Sequence, residues 1–173
     1  MACHDLWAED EQRQSRRIVI SLPDRKLALV EGDGIVRVYD VAVGKHSTPS
    51  PQGQFRIVTR IPHPTWYGPE QVVPPGAANP LGTRWIGLSV KGYGIHGTNA
   101  PKSIGKAASH GCIRMRNRDV EELFDLVSDG GPVELHGERP EVFTRMQAAA
   151  GKIGNPVVQA ARLTERRDNS CCS

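Results

Sequence analysis

From Arg17 onward, apolar positions come in short runs, many alternating with polar ones, and turn residues cut each run. That spacing belongs to strands rather than long helices. Ile18-Val19-Ile20-Ser21-Leu22 and Lys26-Leu27-Ala28-Leu29-Val30-Glu31 flank a Pro23-Asp24-Arg25 turn. Glu31-Gly32-Asp33-Gly34 predicts a tight hairpin in which Asp-Gly supplies the positive φ. Ile35 to Val43 alternates around Arg37 and Asp40 and completes an antiparallel meander. Further strands are expected over 54–60, 84–89, 93–96 and 132–136. One helix is expected after Met115. Asn117 reads as its N-cap, and Asp119, Glu121 and Glu122 fill the first turn, where negative charge is favoured. Val120, Leu123, Phe124 and Val127 form its apolar face, and Asp129-Gly130-Gly131 stops it. A last helix is expected over 141–150.

Segment 61–82 is dense in Pro, Gly and Asn and contains Trp66-Tyr67. It is long for a structureless connection in a compact domain, and such segments serve as lids or binding walls. The expected organisation is a loose polar arm over 1–16, a compact unit over 17–137, and a helix with a polar tail over 138–173.

Composition supports this picture. Eighteen glycines and thirteen prolines suit a turn-rich β protein, and hydrophobic and charged shares of 38% and 24% suit a globular domain. The net charge of +3 is mild and the arginines are scattered, which argues against a nucleic-acid partner. No apolar run approaches the length of a membrane span. Three of the four cysteines (Cys3, Cys171, Cys172) lie within three residues of an end of the sequence. They do not form a disulfide framework, and Cys112 stands alone in the interior.

Cys112 lies in Ser109-His110-Gly111-Cys112-Ile113-Arg114, and a second histidine, His96, lies upstream in a strand. A thiol needs a nearby base or positive charge to become a thiolate near neutral pH, and either histidine supplies one. Gly111 lets a ligand approach the backbone, and a backbone N–H at or near Cys112 suits an oxyanion. Two other readings stand beside this one: a buried cysteine acting as a small hydrophobe, and a metal site of His96, His110 and Cys112. The metal reading lacks a fourth ligand.

The run Ile95-His96-Gly97-Thr98, followed by Ser109 to Met115, resembles the active-site pattern of the L,D-transpeptidase catalytic domain. Val41 to Lys45 with Thr48 to Phe55, Asn79 to Leu88, and Asn117 to Leu123 resemble the same family in order, so the likeness covers about residues 17 to 136. The resemblance implies a mainly β fold, a sandwich of mixed sheets with a short helix after the cysteine. It implies Cys112 as nucleophile, His96 as proton donor and acceptor, and the Gly97 carbonyl as the group orienting His96. Gly111 and Cys112 would furnish oxyanion N–H groups, and His110 would shape the pocket or serve as a structural hydrogen-bonder. Arg114 would bind a substrate carboxylate or face solvent, Ser109 would bind or fix the turn, and Trp66 and Tyr67 would line the groove. Trp85 is expected in the core.

The activity implied is acyl transfer from a tetrapeptide stem of peptidoglycan to an amine of another stem, through a thioester, with no metal or organic cofactor. Acylation of Cys112 by carbapenem-type lactams is implied too. Hydrolysis of the same bond (carboxypeptidase or endopeptidase activity) and a catalytically inactive wall-binding module are the alternatives. The implied substrate lies in the cell envelope, yet Met1 to Leu6 shows no basic region followed by an apolar stretch. A longer precursor, a misassigned start, another export route and a cytoplasmic role are the readings that conflict leaves.

Overall fold

The computed structural model describes residue 13 and residues 15–152. The expected arm up to residue 12, the tail beyond residue 152, and Cys3, Cys171 and Cys172 lie outside the described residues.

Eight strands form one curled, mixed sheet in the order β11-β9-β8-β5-β12-β1-β2-β3. Strands β1 (Arg16–Ser21), β2 (Lys26–Glu31) and β3 (Gly34–Asp40) make the antiparallel meander at one end. β-branched and aliphatic residues fill β1 and β2, as a pleated surface packed on both faces requires. The hairpin pairs Glu31 with Gly34, so its central residues are Gly32 and Asp33. The positive φ falls on Gly32 (55°) rather than on an Asp-Gly pair, a correction that puts glycine at the first central position, where a type II′ turn needs it.

Strand β4 (Val43–Gly44) is short. β5 (Gly53–Pro62) is the longest strand and joins the two ends of the sheet. Its first residues pair with β12 (Pro132–His136), and those from Ile57 pair with β8 (Arg84–Leu88), with an irregularity between Ile57 and Thr59. A bulge of this kind bends a strand and adds twist. β12 also lies parallel to β1, which closes the sheet between elements far apart in sequence. The 61–82 segment, long for a structureless connection, holds its own two-stranded sheet, β6 (Trp66–Tyr67) with β7 (Val72–Val73).

Beyond β8 come β9 (Gly94–His96), a 3-10 turn at Pro101–Ser103, β10 (Ala107–Ser109), and β11 (Ile113–Arg114). Helix α1 (Asn117–Leu126) follows and packs against β8 and β9. Val120 and Leu123 are fully buried in one apolar cluster with Ile18, Ile20, Leu27, Leu29, Ile86, Ile95 and Ile113. Each such side chain contributes about 1.5–3 kcal/mol on burial. Asn117 is not the cap of α1. That position is Arg116, which makes no side-chain capping bond; the Asn117 side chain is used elsewhere. Helix α2 (Glu141–Lys152) carries an Arg145–Glu141 ion pair at 2.7 Å along one face.

Candidate active site

Three strands build the site. β11 lies parallel to β9 with Ile113 opposite Ile95 and Arg114 opposite His96. β8 lies antiparallel to β9 with Trp85 opposite His96 and Gly87 opposite Gly94. Side chains alternate between faces along a strand. Ile95, Ile113 and Ile86 therefore enter the core, where each is at most 1% exposed. His96, Arg114, Trp85, Gly87 and Gly94 share the other face. Cys112, one residue ahead of β11, falls beside Gly94, whose backbone favours the thiolate. The structure thus brings His96, Cys112 and Arg114 together on one side of two neighbouring strands. Backbone bonds of 2.8 and 2.9 Å between Ala42 and Arg114 fix the outer side of β11.

The turn before Cys112 is closed by Ser109. Its hydroxyl donates to the Cys112 carbonyl at 2.5 Å and accepts the Gly111 N–H at 3.1 Å. Ser109 is 1% exposed. These two bonds span the turn from position 109 to position 112. Gly111 has φ +111°, and a Cβ there would meet the Tyr93 ring at 2.6 Å and the Pro49 carbonyl at 3.2 Å. Only glycine fits that position. The Gly111 N–H is engaged by the Ser109 hydroxyl.

His96 is 4% exposed. Its Nδ1 lies 2.6 Å from the Gly97 carbonyl oxygen. A carbonyl only accepts, so Nδ1 carries the hydrogen and Nε2 holds the free lone pair. Burial pushes the imidazole down to about 4; the Gly97 carbonyl opposes this, the Arg114 charge adds to it, and the Leu81 carbonyl opposes it. Cys112 is half-buried, with Sγ 3.6 Å from the Gly92 carbonyl. Burial pushes its thiol up, while the Gly94 N–H and the Arg114 charge pull it down. Near neutral pH the resting pair is therefore a thiol and a neutral imidazole, not an ion pair.

Arg114 is half-buried, and its Nε is buried with no hydrogen-bond partner. A desolvated guanidinium N–H without an acceptor is costly. His110 is exposed. Trp66 is half-buried with its ring folded over Gly68, and Tyr67 is 77% exposed. Both sit in the 61–82 segment, which folds around fully buried Asn79. The Asn79 Nδ2 donates to the carbonyls of Pro64, Val73 and Pro74 at 2.8–3.2 Å, and its Oδ1 accepts the Leu81 N–H at 2.8 Å.

Two residues of the site escape sequence reasoning. Trp85, expected in the core, is stacked on His96, with centroids 5.6 Å apart and planes at 23°. Asn117, expected to cap a helix, accepts the Thr98 N–H at 3.0 Å through Oδ1. The same oxygen lies where a Cβ on Gly82 or Gly97 would stand, at 2.1 and 2.2 Å. Asn117 so ties the end of the 61–82 segment to the loop whose carbonyl holds His96. The link between positions 85 and 96 is set by the register between β8 and β9, and nothing local marks it or the reach of Asn117. Among the described residues, no three of His, Cys, Asp and Glu gather in a way that could hold a metal ion.

Residues 15–135 match the family model of the L,D-transpeptidase catalytic domain, and the chain belongs to that family. It is 48% identical over 119 residues to the putative L,D-transpeptidase YkuD of Bacillus licheniformis, covering 69% of this chain and 64% of that protein. To YkuD of Bacillus subtilis it is 40% identical over 119 residues, covering 69% and 65%. The chain thus spans about two thirds of the length of these curated relatives. Among solved structures, the Ldtfm–avibactam carbamoyl enzyme superposes with a TM-score of 0.62 at 25% identity, covering 72% of this chain and 50% of that one. An L,D-transpeptidase from Mycobacterium smegmatis superposes with a TM-score of 0.60 at 19% identity, covering 71% and 59%. The mainly β, mixed-sheet architecture expected from sequence is the one these structures share.

Proposed function

We propose that this chain transfers acyl groups between peptidoglycan stem peptides in the cell envelope, with Cys112 as nucleophile and His96 as general acid and base. The observation that carries the reading is the Nδ1–Gly97 bond of buried His96, which leaves Nε2 as the basic atom on the face it shares with Cys112. In this reading the catalytic unit runs over 17–137, between an arm over 1–16 and a helix and tail over 138–173.

The chemistry follows from the neutral pair. Cys112 Sγ attacks the acyl carbon of the L,D-amide of a tetrapeptide stem as His96 Nε2 takes the thiol proton. The S–C bond forms and the carbonyl electrons move to oxygen, where the Cys112 N–H meets the oxyanion. Gly111 joins it only if its N–H leaves the Ser109 hydroxyl. When the oxyanion collapses, the C–N bond breaks and the imidazolium returns its proton to the leaving amine. An acceptor amine then attacks the thioester, His96 takes the amine proton, and the sulfur leaves and is reprotonated. Every step uses atoms of the protein and the two stems, so the reading calls for no cofactor.

Arg114 binds a stem carboxylate through its guanidinium, a forked donor matched to carboxylate geometry. His110 forms an exposed wall of the entrance. Trp66 and Tyr67 form the groove side contributed by the 61–82 segment. Lactams that acylate a thiol are expected to trap Cys112.

Mass spectrometry of the protein mixed with a tetrapeptide stem tests the reading. The expected result is an acyl adduct on Cys112 that transfers to an added acceptor stem. Cys112→Ala abolishes it, and His96→Ala slows its formation about 10²–10⁴-fold. An adduct that persists in Cys112→Ala, or a rate indifferent to His96→Ala, overturns it.

A further inference from the structure

Four positions on the site face form a two-by-two block: Trp85 and Gly87 on β8, Gly94 and His96 on β9, paired across the strands. The large rings stand directly opposite one another, and so do the glycines. A Cβ on Gly94 would stand 2.6 and 2.7 Å from Cζ2 and Cη2 of the indole. One on Gly87 would stand 2.9 Å from the indole Nε1 and 2.4 Å from Thr59 Oγ1. Neither glycine has a positive φ. The backbone therefore does not require glycine at 87 or 94, and the missing side chains serve to make room. What occupies the room is Trp85 at Gly94, and Trp85 together with Thr59 at Gly87.

We propose that Trp85 is a positioning residue for His96: the indole, laid across Gly87 and Gly94, fixes the plane of the imidazole and keeps water from its face. The Nδ1–Gly97 bond alone constrains one atom of the ring. A ring tethered at Cβ and held by backbone carbonyls at its edge can still tilt within the slack of those contacts. The stacked indole removes that freedom, so Nε2 is aimed in one direction. Offset-stacked aromatic pairs contribute beyond their buried area, which gives the block a reason to persist.

The burial that depresses the imidazole pKa is supplied in part by this contact. The other groups facing His96 are Arg114 and Cys112 from β11 and its approach, one charged and one titratable; β8 presents no charge to it. Removing the indole admits water while leaving the Arg114 charge in place. The His96 pKa must then rise toward its ordinary value of 6.5.

The inference deepens the reading of His96 as the base, and its test has an arm that does not depend on activity. Trp85→Ala, Trp85→Phe and Gly94→Ala are compared with the unaltered chain by NMR titration of the His96 imidazole and by kcat and KM across pH. Trp85→Ala is expected to raise the imidazole pKa by about one unit or more. It is also expected to cut kcat about tenfold or more with KM nearly unchanged, as misorientation of a reacting group does. Trp85→Phe, which keeps a stacking ring, retains most of both. Gly94→Ala keeps the tryptophan but displaces it, and reproduces Trp85→Ala. If the alanine variant does not fold, a third measurement decides. With Trp7→Phe and Trp66→Phe leaving Trp85 as the single indole, its emission is titrated against the His96 resonance. Quenching that tracks imidazole protonation supports the contact. Emission with no inflection there overturns the proposal, as does a folded Trp85→Ala variant with unchanged His96 titration and kcat. Absence of acyl transfer in the unaltered chain would sink the functional reading instead, and the titration would still decide on Trp85.

Discussion

The two ends of the curled sheet bury different things. At the β1–β2 end, Ile18, Val19 and Ile20 face Leu29, Ala28 and Leu27 in register, and each is at most 3% exposed. At the β8–β9–β11 end, one face buries Ile86, Ile95 and Ile113 in the same way. The opposite face holds an imidazole, a thiol, a guanidinium and an indole over two glycines. Burial of aliphatic side chains yields stability directly. Burial of ionisable groups disfavours their charged forms and yields shifted reactivity instead. The same pleat and the same alternation thus serve as scaffold at one end and as a chemical device at the other.

That contrast can be tested from its strongest expression to its weakest. Leu29→Ala at the aliphatic end should cost about 2–5 kcal/mol in denaturant unfolding, the usual range for a fully buried leucine. While the variant stays folded, its His96 titration should match that of the unaltered chain. A titration that moves with Leu29 would show the two ends to be one device.

The second effect lies at the site end and depends on pH. The folded His96 pKa is depressed from 6.5 to about 4. Between those values the unfolded chain takes up a proton that the folded chain refuses. The stability contributed by the buried neutral ring is therefore intact above pH 6.5 and is lost as pH falls toward 4, by about 3 kcal/mol in total. His96→Gln, which cannot titrate, should flatten this part of the curve of stability against pH. The acid limb of kcat/KM should fall near pH 4 instead of near 6.5, because the base is ready as soon as it is neutral.

Asn117→Ala comes next. It leaves the Thr98 N–H without its acceptor and opens space beside Gly82 and Gly97. A loss of about 1–3 kcal/mol is expected, from unfolding midpoints. Arg114→Gln should leave the fold stable. It should raise KM for a carboxylate-bearing stem about tenfold, and move the His96 and Cys112 pKa values upward together because one positive charge depresses both. Unchanged KM would remove Arg114 from the binding role proposed for it. The smallest effect belongs to the exposed Arg37–Glu122 pair at 2.7 Å. Glu122→Gln should leave the unfolding midpoint unmoved, as exposed pairs do.

Much of this was legible in the chain. Short apolar runs broken by Gly, Pro and Asp marked the strands, because a strand's two-residue period and its turns are local properties. The helix after Met115 was legible from its apolar face, and Cys112 with His96 from their motifs. What the chain withheld was non-local. Asp33-Gly34 looked like the hairpin turn, but pairing register moved the positive φ to Gly32. Asn117 looked like a cap because local bonds are what a short polar side chain usually makes. Its true partner is nineteen residues away, in a loop that folding alone brings near. The bond between the Gly111 N–H and the Ser109 hydroxyl is likewise set by how the turn folds.

The amino-acid order by itself determined the elements, the aliphatic core and the residue types able to do acyl chemistry, since these depend on period, propensity and functional groups. Tertiary structure alone decided which ring lies on His96, which N–H the Ser109 hydroxyl takes, and which charge falls on both imidazole and thiol. Those are questions of register between strands, and register is settled only when the whole sheet pairs and its faces are buried.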